Sequence, residues 1–163
     1  METMDAIRKR ASIRKYKPDK LSEAQIETLM EAAMLSPSGM NLRPYRFIVI
    51  RDERLLSSVK ALNPYAGHNA PNAIVVIGDA ARSPLMWQND CGAATENILL
   101  CATDMGLGTC WCAMYPFIDR AFEAKEILHL AKHEEAYSLI LIGVPDEEKH
   151  ARGSYDPSRV TIF

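Results

Sequence analysis

The sequence of 163 residues has no apolar run that could span a bilayer. Its longest, Ala73 to Ile77 and Leu139 to Val144, fall far short of the roughly 20 residues a membrane helix requires. It has only four cysteines, Cys91, Cys101, Cys110 and Cys112, too few for a disulfide scaffold. Three of them sit in apolar stretches, where buried reduced thiols are expected. It also lacks a strong charge of either sign. A formal net charge of −2 gives no field that favours nucleic acid, and no basic tract suited to a membrane surface is present. The first residues, Met1-Glu2-Thr3-Met4-Asp5, are acidic and lack the basic-then-apolar layout of a signal peptide, so a cytoplasmic location is expected.

Several motifs are absent as well. The glycines form neither G-x-G-x-x-G nor a P-loop, which argues against a Rossmann dinucleotide site, and Ser38-Gly39 lacks the G-x-S-x-G hydrolase frame. Cys110-Trp111-Cys112 is not C-x-x-C; on a strand its two thiols would share one face, with no second pair to complete a zinc site. His129 and His133 have the spacing of a helical metal pair, but no Glu follows the first and no third ligand is evident, so a surface pair is expected. No repeat, linker or low-complexity tract divides the chain, and one domain spanning 1–163 is expected.

What is present is a regular alternation of helical and strand patterns. A short helix is expected over residues 4–10. Ser22 and Gln25 have capping-box spacing, with Leu21 placed to staple onto Ile26. Ile26, Leu29, Met30, Ala33 and Met34 follow on one helical face, and Pro37 should end that helix. Residues 36–44 read as an ordered loop and Tyr45 to Ile50 as a strand with Tyr45, Phe47 and Val49 on one face. Glu53 to Lys60 suits a surface helix, Asn63 to Asn72 a loop, and Ala73 to Gly78 a buried strand. Trp87, Cys91, Ala94, Ile98, Cys101 and Met105 form a helical seam, with Gly106 as its C-terminal cap. Thr109 to Ala113 reads as a short strand, Ala121 to His129 as a helix, Tyr137 to Val144 as a strand, and the tail from Pro145 as extended.

Four constellations could carry chemistry. Arg10, Ser12 and Arg14 offer two planar guanidinium donors and a hydroxyl on one side of an extended segment, which suits a phosphate. By itself this segment, with Ala11 between, reads more readily as a solvated basic patch than as a site, since Arg8, Lys9, Lys15 and Lys17 are close by. In Pro37-Ser38-Gly39-Met40-Asn41-Leu42-Arg43-Pro44, Asn41 offers donor and acceptor to the edge of a heterocycle and Arg43 a positive charge beside it; the same residues also make a plain helix-to-strand turn. Gly108 and Thr109 follow Gly106 where main chain could approach a flat ligand, or simply a cap and a strand. Lys149 and Arg152 could complete a phosphate site from the tail, or be solvated.

In their order along the chain these pieces resemble the nitroreductase family of FMN enzymes. R-x-S-x-R lies near the N-terminus, a capped helix ends in P-S-x-x-N-x-x-P, a later helix ends in G-L-G-T-x-W, and a strand ends in I-G-V-P. The resemblance runs from about Ile7 to Tyr155-Asp156-Pro157-Ser158-Arg159-Val160. It implies an α+β fold, a central, mainly antiparallel sheet flanked by helices, in an intertwined homodimer with FMN at the interface. Arg10, Ala11, Ser12 and Arg14 would match the phosphate segment. Pro37, Ser38, Gly39, Asn41 and Arg43 would match the loop around the isoalloxazine ring, partly supplied by the partner subunit. Gly108 and Thr109 would match the backbone near the reactive face, and Arg152, with Lys149, the basic tail.

The activity implied is hydride transfer from NAD(P)H to FMN and then, in ping-pong order, to an electron-poor acceptor such as a nitroaromatic or quinone, with no side chain nominated as acid or nucleophile. Arg43-Pro44-Tyr45 replaces the family's commoner Gln-Pro-Trp, and the chain lacks the longer insertions of larger members. Other readings are a flavin-dependent reductive dehalogenase, a flavin-degrading relative, a non-catalytic FMN-binding protein and a cofactor-free structural domain.

Overall fold

The two most apolar segments of the chain lie at the centre of a sheet. The computed structural model describes residues 1–163 except Pro64, Ala66, His68 and Arg152. Four strands, β1 (Tyr45–Ile50), β2 (Asn72–Asp79), β3 (Gly108–Ala113) and β4 (Glu134–Gly143), pair antiparallel throughout in the order β1-β2-β4-β3. β2 and β4 are central and covered on both faces, which is why they read as continuous apolar runs rather than as alternating ones.

Because successive side chains point to opposite faces, each strand feeds two cores. Ile74, Val76, Ile140 and Ile142 pack with Leu29 and Ala33 of α2 (Glu23–Met34) and with Trp87, Cys91 and Ile98 of α4 (Trp87–Asp104). Val75, Ile77, Leu139 and Leu141 pack with Leu56 and Val59 of α3 (Glu53–Ala61) and Ala124 of α5 (Ile118–Ile127). The sheet is thus flanked by helices on both faces, with α1 (Thr3–Lys9) beside α4. Cys110 and Cys112 lie buried in the second core, while Trp111 between them stays exposed on the other face.

A fully buried side chain such as Ile140 contributes about 1.5–3 kcal/mol, and a helix cap about 1 kcal/mol. Packing therefore sets the fold, and caps set where helices begin and end. The Ser22 capping box forms in full: Gln25 N–H donates to Ser22 Oγ at 3.2 Å, and Ser22 N–H to Gln25 Oε1 at 2.9 Å. At the end of α4, Gly106 takes φ +73°, and Leu107 N–H reaches back to the Ala102 carbonyl at 2.8 Å.

Three elements differ from the sequence expectation. α3 buries Leu56 and Val59 and so belongs to the core as much as to the surface. β4 begins at Glu134, three residues before Tyr137, because Glu134, Glu135 and Ala136 pair with Asp79, Gly78 and Ile77. α5 runs from Ile118 to Ile127 instead of from Ala121 to His129; His129 has φ +51°, so it leaves the helix and shares no helical face with His133. Among the described residues no group of three or more His, Cys, Asp or Glu side chains could hold a metal, and no helix is long and apolar enough to cross a membrane.

Candidate functional site

α1 ends at Lys9, and the chain turns into an extended path at Arg10. Ser12 bridges to Thr109 in parallel alignment, Ile13 N–H donates to the Thr109 carbonyl at 2.8 Å, and Tyr16 bridges to Pro145. The segment therefore lies along the exposed edge of β3. The buried Ile13 faces the core, and Arg10, Ser12 and Arg14 face the opposite way. A Cβ on Gly108 would lie 2.9 Å from three side-chain atoms of Ile13. That contact accounts for Gly108: the glycine admits the close approach of this segment.

Arg10, Ala11, Ser12 and Arg14 line a cavity of about 220 Å3, closed on the other side by Lys149, His150 and Ala151 of the tail. Four of the residues expected at a phosphate, with Lys149, are thus brought together; Arg152 lies outside the described residues. Glu147, which the sequence reading missed, ties the two pieces. Its Oε1 accepts from Arg14 N–H, from Lys15 N–H at 3.1 Å and from Lys149 Nζ at 2.8 Å. The Lys149 bond, aided by the Arg14 amide, holds the Glu147 carboxyl below the usual carboxylate range. Asp146 N–H also donates to the Lys15 carbonyl at 2.9 Å. On the α4 side, burial pushes the Glu96 carboxyl up, and the charge of Arg10 partly offsets that shift. Three cations and a hydroxyl around one cavity can bind a phosphate monoester.

The loop over 36–44 is elsewhere. Asp79 N–H donates to the Pro44 carbonyl, and Tyr45 pairs with Gly78, at the end of the sheet where β4 begins; Ser12 lies where β4 ends. From Ile142, opposite Thr109, to Glu135, opposite Gly78, is roughly 23 Å along β4, and β1 is three strand spacings, roughly 14 Å, from β3. None of Pro37, Ser38, Gly39, Asn41 or Arg43 lines the cavity at Arg10–Arg14.

The loop is strained and clamped. Met40, Asn41 and Arg43 have φ of 49°, 54° and 47°, left-handed values that cost roughly 1–2 kcal/mol each for Met40 and Arg43 and less for Asn41. Arg43 N–H donates to Ser38 Oγ and Arg43 Nε to Asn41 Oδ1, both at 3.0 Å. Asn41 therefore keeps its amide NH2 to offer a ligand while its oxygen is engaged. Gly39 N–H donates to Oδ1 of the buried Asp90 at 3.0 Å, and Arg82 Nε donates to the Leu42 carbonyl. Asp90 Oδ2 is buried with no partner among the described residues. Strain of this kind collects at functional sites.

The nitroreductase family model matches residues 7–75 and 56–144. A Methanothermobacter thermautotrophicus protein, provisionally named NADH dehydrogenase/NAD(P)H nitroreductase, is 36% identical over 99% of this chain and 87% of its own length. An FMN-dependent nitroreductase from Clostridium difficile superposes with a TM-score of 0.89 at 31% identity, covering 98% of both chains. A nitroreductase with bound FMN from Desulfitobacterium hafniense superposes at 0.83 with 25% identity, over 100% of this chain and 99% of that one.

Proposed function

The chain belongs to the nitroreductase family, a family of oxidoreductases, and from that premise we propose that it binds FMN and passes reducing equivalents from NAD(P)H to an electron-poor acceptor, such as a nitroaromatic or a quinone. The observation that carries this reading is the convergence of Arg10, Ser12, Arg14 and Lys149 on one cavity. The cavity suits the FMN phosphate: its donors are charged or hydroxylic, and Glu147 holds both the backbone of Arg14 and the ammonium of Lys149. When bound, FMN supplies two-electron chemistry that serves donor and acceptor in turn, a ping-pong exchange within one pocket. The protein's own part is to bind and orient. Arg10 and Arg14 neutralise the phosphate, Ser12 donates to it, Glu147 keeps Lys149 facing it, and the Asn41 amide is available to a ring edge.

The distance between the cradle and the 36–44 loop favours a homodimer in which each site takes its cradle from one copy and Ser38, Gly39, Asn41 and Arg43 from the other. Exposed apolar side chains support that assembly. Tyr155, Val160, Ile162 and Phe163 of the tail lie open in a single chain, and Ile118 and Phe122 of α5 line an open concavity with Tyr115, an apolar surface of the kind that marks an interaction site. Dependence on NAD(P)H is in keeping with work in the cytoplasm. The test is direct. The purified protein should be yellow, sediment as a dimer, and bleach on anaerobic addition of NADPH or NADH. A colourless protein that does not take up added FMN would overturn the reading, and a monomer with FMN fully bound would overturn the shared site.

A further inference from the structure

At the loop end of the sheet a second, smaller cavity of about 180 Å3 gathers three arginines, Arg43, Arg46 and Arg82, with two carboxylates, Asp79 and Glu134. The charges are not equally committed. Arg46 and Glu134 form a two-pronged pair, Nε to Oε1 and Nη2 to Oε2, the latter at 2.8 Å, so each neutralises the other. Asp79 Oδ1 accepts from the backbone N–H groups of Ala81 and Arg82 at 3.0 and 2.9 Å, and its Oδ2 stands 3.8 Å from His133 Nε2. Arg43 and Arg82 have no carboxylate partner among the described residues.

Both free guanidinium groups are nevertheless anchored. Each uses its Nε on the loop, Arg43 on Asn41 Oδ1 and Arg82 on the carbonyl of Leu42, the residue just before Arg43. Held by Nε, each keeps its pair of terminal nitrogens for another acceptor. Arg43 and Arg82 together outweigh the carboxylate of Asp79 beside them, so the concavity keeps a net positive charge and favours an anion. A guanidinium fork matches the oxygens of a phosphate better than a single point charge does. The FMN phosphate is not a candidate for this place, because on the reading above it is held by Arg10, Ser12, Arg14 and Lys149.

Resting on the oxidoreductase reading above, we propose that Arg43 and Arg82 form a phosphate-monoester subsite that takes the 2′-phosphate of NADPH, so that this chain prefers NADPH to NADH. The loop that offers Asn41 to the flavin ring also carries Arg43. The subsite therefore lies on the loop that faces the ring, within reach of the adenosine end of a donor whose nicotinamide meets that ring.

The test compares holoenzyme turnover with the two donors and, separately, binding of adenosine 2′,5′-bisphosphate and adenosine 5′-monophosphate by calorimetry. The wild type should show a higher kcat/KM for NADPH than for NADH and bind the bisphosphate about tenfold more tightly, the effect of one lost charge-assisted bond. Arg82→Gln should lower the NADPH-to-NADH ratio of kcat/KM about tenfold, and Arg82→Lys by less, since it keeps charge but loses the fork. Because damage to the loop itself would lower both donors alike, the ratio isolates the phosphate. A wild-type ratio near one, or an Arg82→Gln ratio equal to the wild type's, overturns the proposal. Calorimetry reads the subsite without turnover and the flavin spectrum reads the cofactor, so a yellow, reducible protein that ignores the 2′-phosphate sinks this inference alone.

Discussion

The cradle at Arg10–Arg14 and the loop at 36–44 are built on opposite plans. The cradle is relaxed: an extended segment lies along β3, its cations face a cavity, and one carboxylate, Glu147, ties it to the tail. The loop is strained: three non-glycine residues take left-handed backbone and are held there from outside by Asp90 and Arg82. A phosphate is a compact dianion that charge alone can hold, so the cradle needs only flexible cations on a fixed strand edge. A ring needs donors at fixed positions on one edge, and a strained, clamped turn supplies them. The comparison teaches that affinity for the cofactor should reside in the first region and the tuning of its chemistry in the second.

The largest expected effect is on the cradle. Arg10→Ala should weaken FMN binding about 10- to 100-fold, the equivalent of roughly 1.5–3 kcal/mol for lost charge-assisted bonds. Apoprotein stability should change by no more than about 0.5 kcal/mol, as for other surface substitutions. Fluorescence titration with FMN and thermal unfolding of the apoprotein measure the two. Equal losses in both would make Arg10 a structural residue and dissolve the contrast.

Gly108→Ala should come next. Its new Cβ meets three atoms of Ile13 at 2.9 Å, an overpacking that costs about 1–3 kcal/mol, or roughly 2–4 °C in Tm per kcal/mol for a chain of this size. Since Ile13 carries the cradle on its opposite side, FMN binding should fall as well. Gly106→Ala is the matched control. It is strained by φ +73° but meets nothing within 4 Å, so it should lower Tm and leave FMN affinity alone. If Gly108→Ala loses stability without losing FMN, the backing role assigned to Ile13 is wrong.

Glu147→Ala separates charge from geometry within the cradle. Counting charge alone, removal of a carboxylate beside a phosphate site should tighten FMN binding. Counting bonds, it releases Arg14 N–H, Lys15 N–H and Lys149 together and leaves the tail tied to the segment by backbone bonds alone. The expected result is weaker binding, by up to about tenfold for one lost charged bond, seen in the same titration. Tighter binding would mean that the tail needs no tether.

The two regions were also unequally legible. Helix ends at Ser22 and Gly106 were read correctly because their signals are local: a hydroxyl three residues before a glutamine, a glycine after an apolar seam. The alternation in R-x-S-x-R is local too, and it put Arg10, Ser12 and Arg14 on one side, where all three line one cavity. Glu147 was invisible, since a carboxylate near a phosphate reads as repulsive until its three donors are seen. Glu134 and Glu135 hid the start of β4, because paired charges on a strand look like a loop; only Arg46 and Lys125, from other elements, make them acceptable there. Asp90 was missed too. It lies one residue before Cys91 on the seam of α4, and nothing local says that it reaches Gly39. What stayed hidden in each case is a contact between residues far apart in sequence.

The smallest expected effect tests whether the loop end depends on charge for its anchorage, as the cradle end does. Arg46 bonds to Glu134 across β1 and β4 and holds its carboxyl down at about 2. A carboxylate with a depressed folded-state value adds stability that is fully present above its unfolded value, about 4.3, and disappears as pH falls through about 2. Arg46 is 47% exposed, so solvent screens the pair and its worth at pH 7 is about 1 kcal/mol or less. Arg46→Gln should therefore be less stable than the wild type by that amount in urea unfolding at pH 7. The two curves should converge between pH 4.3 and 2, and 1 M salt should narrow the gap. A gap that persists at pH 2 would mean that Arg46 acts through the packing of its methylene stem. The loop end would then be held by strain and packing alone, with charge confined to the cradle.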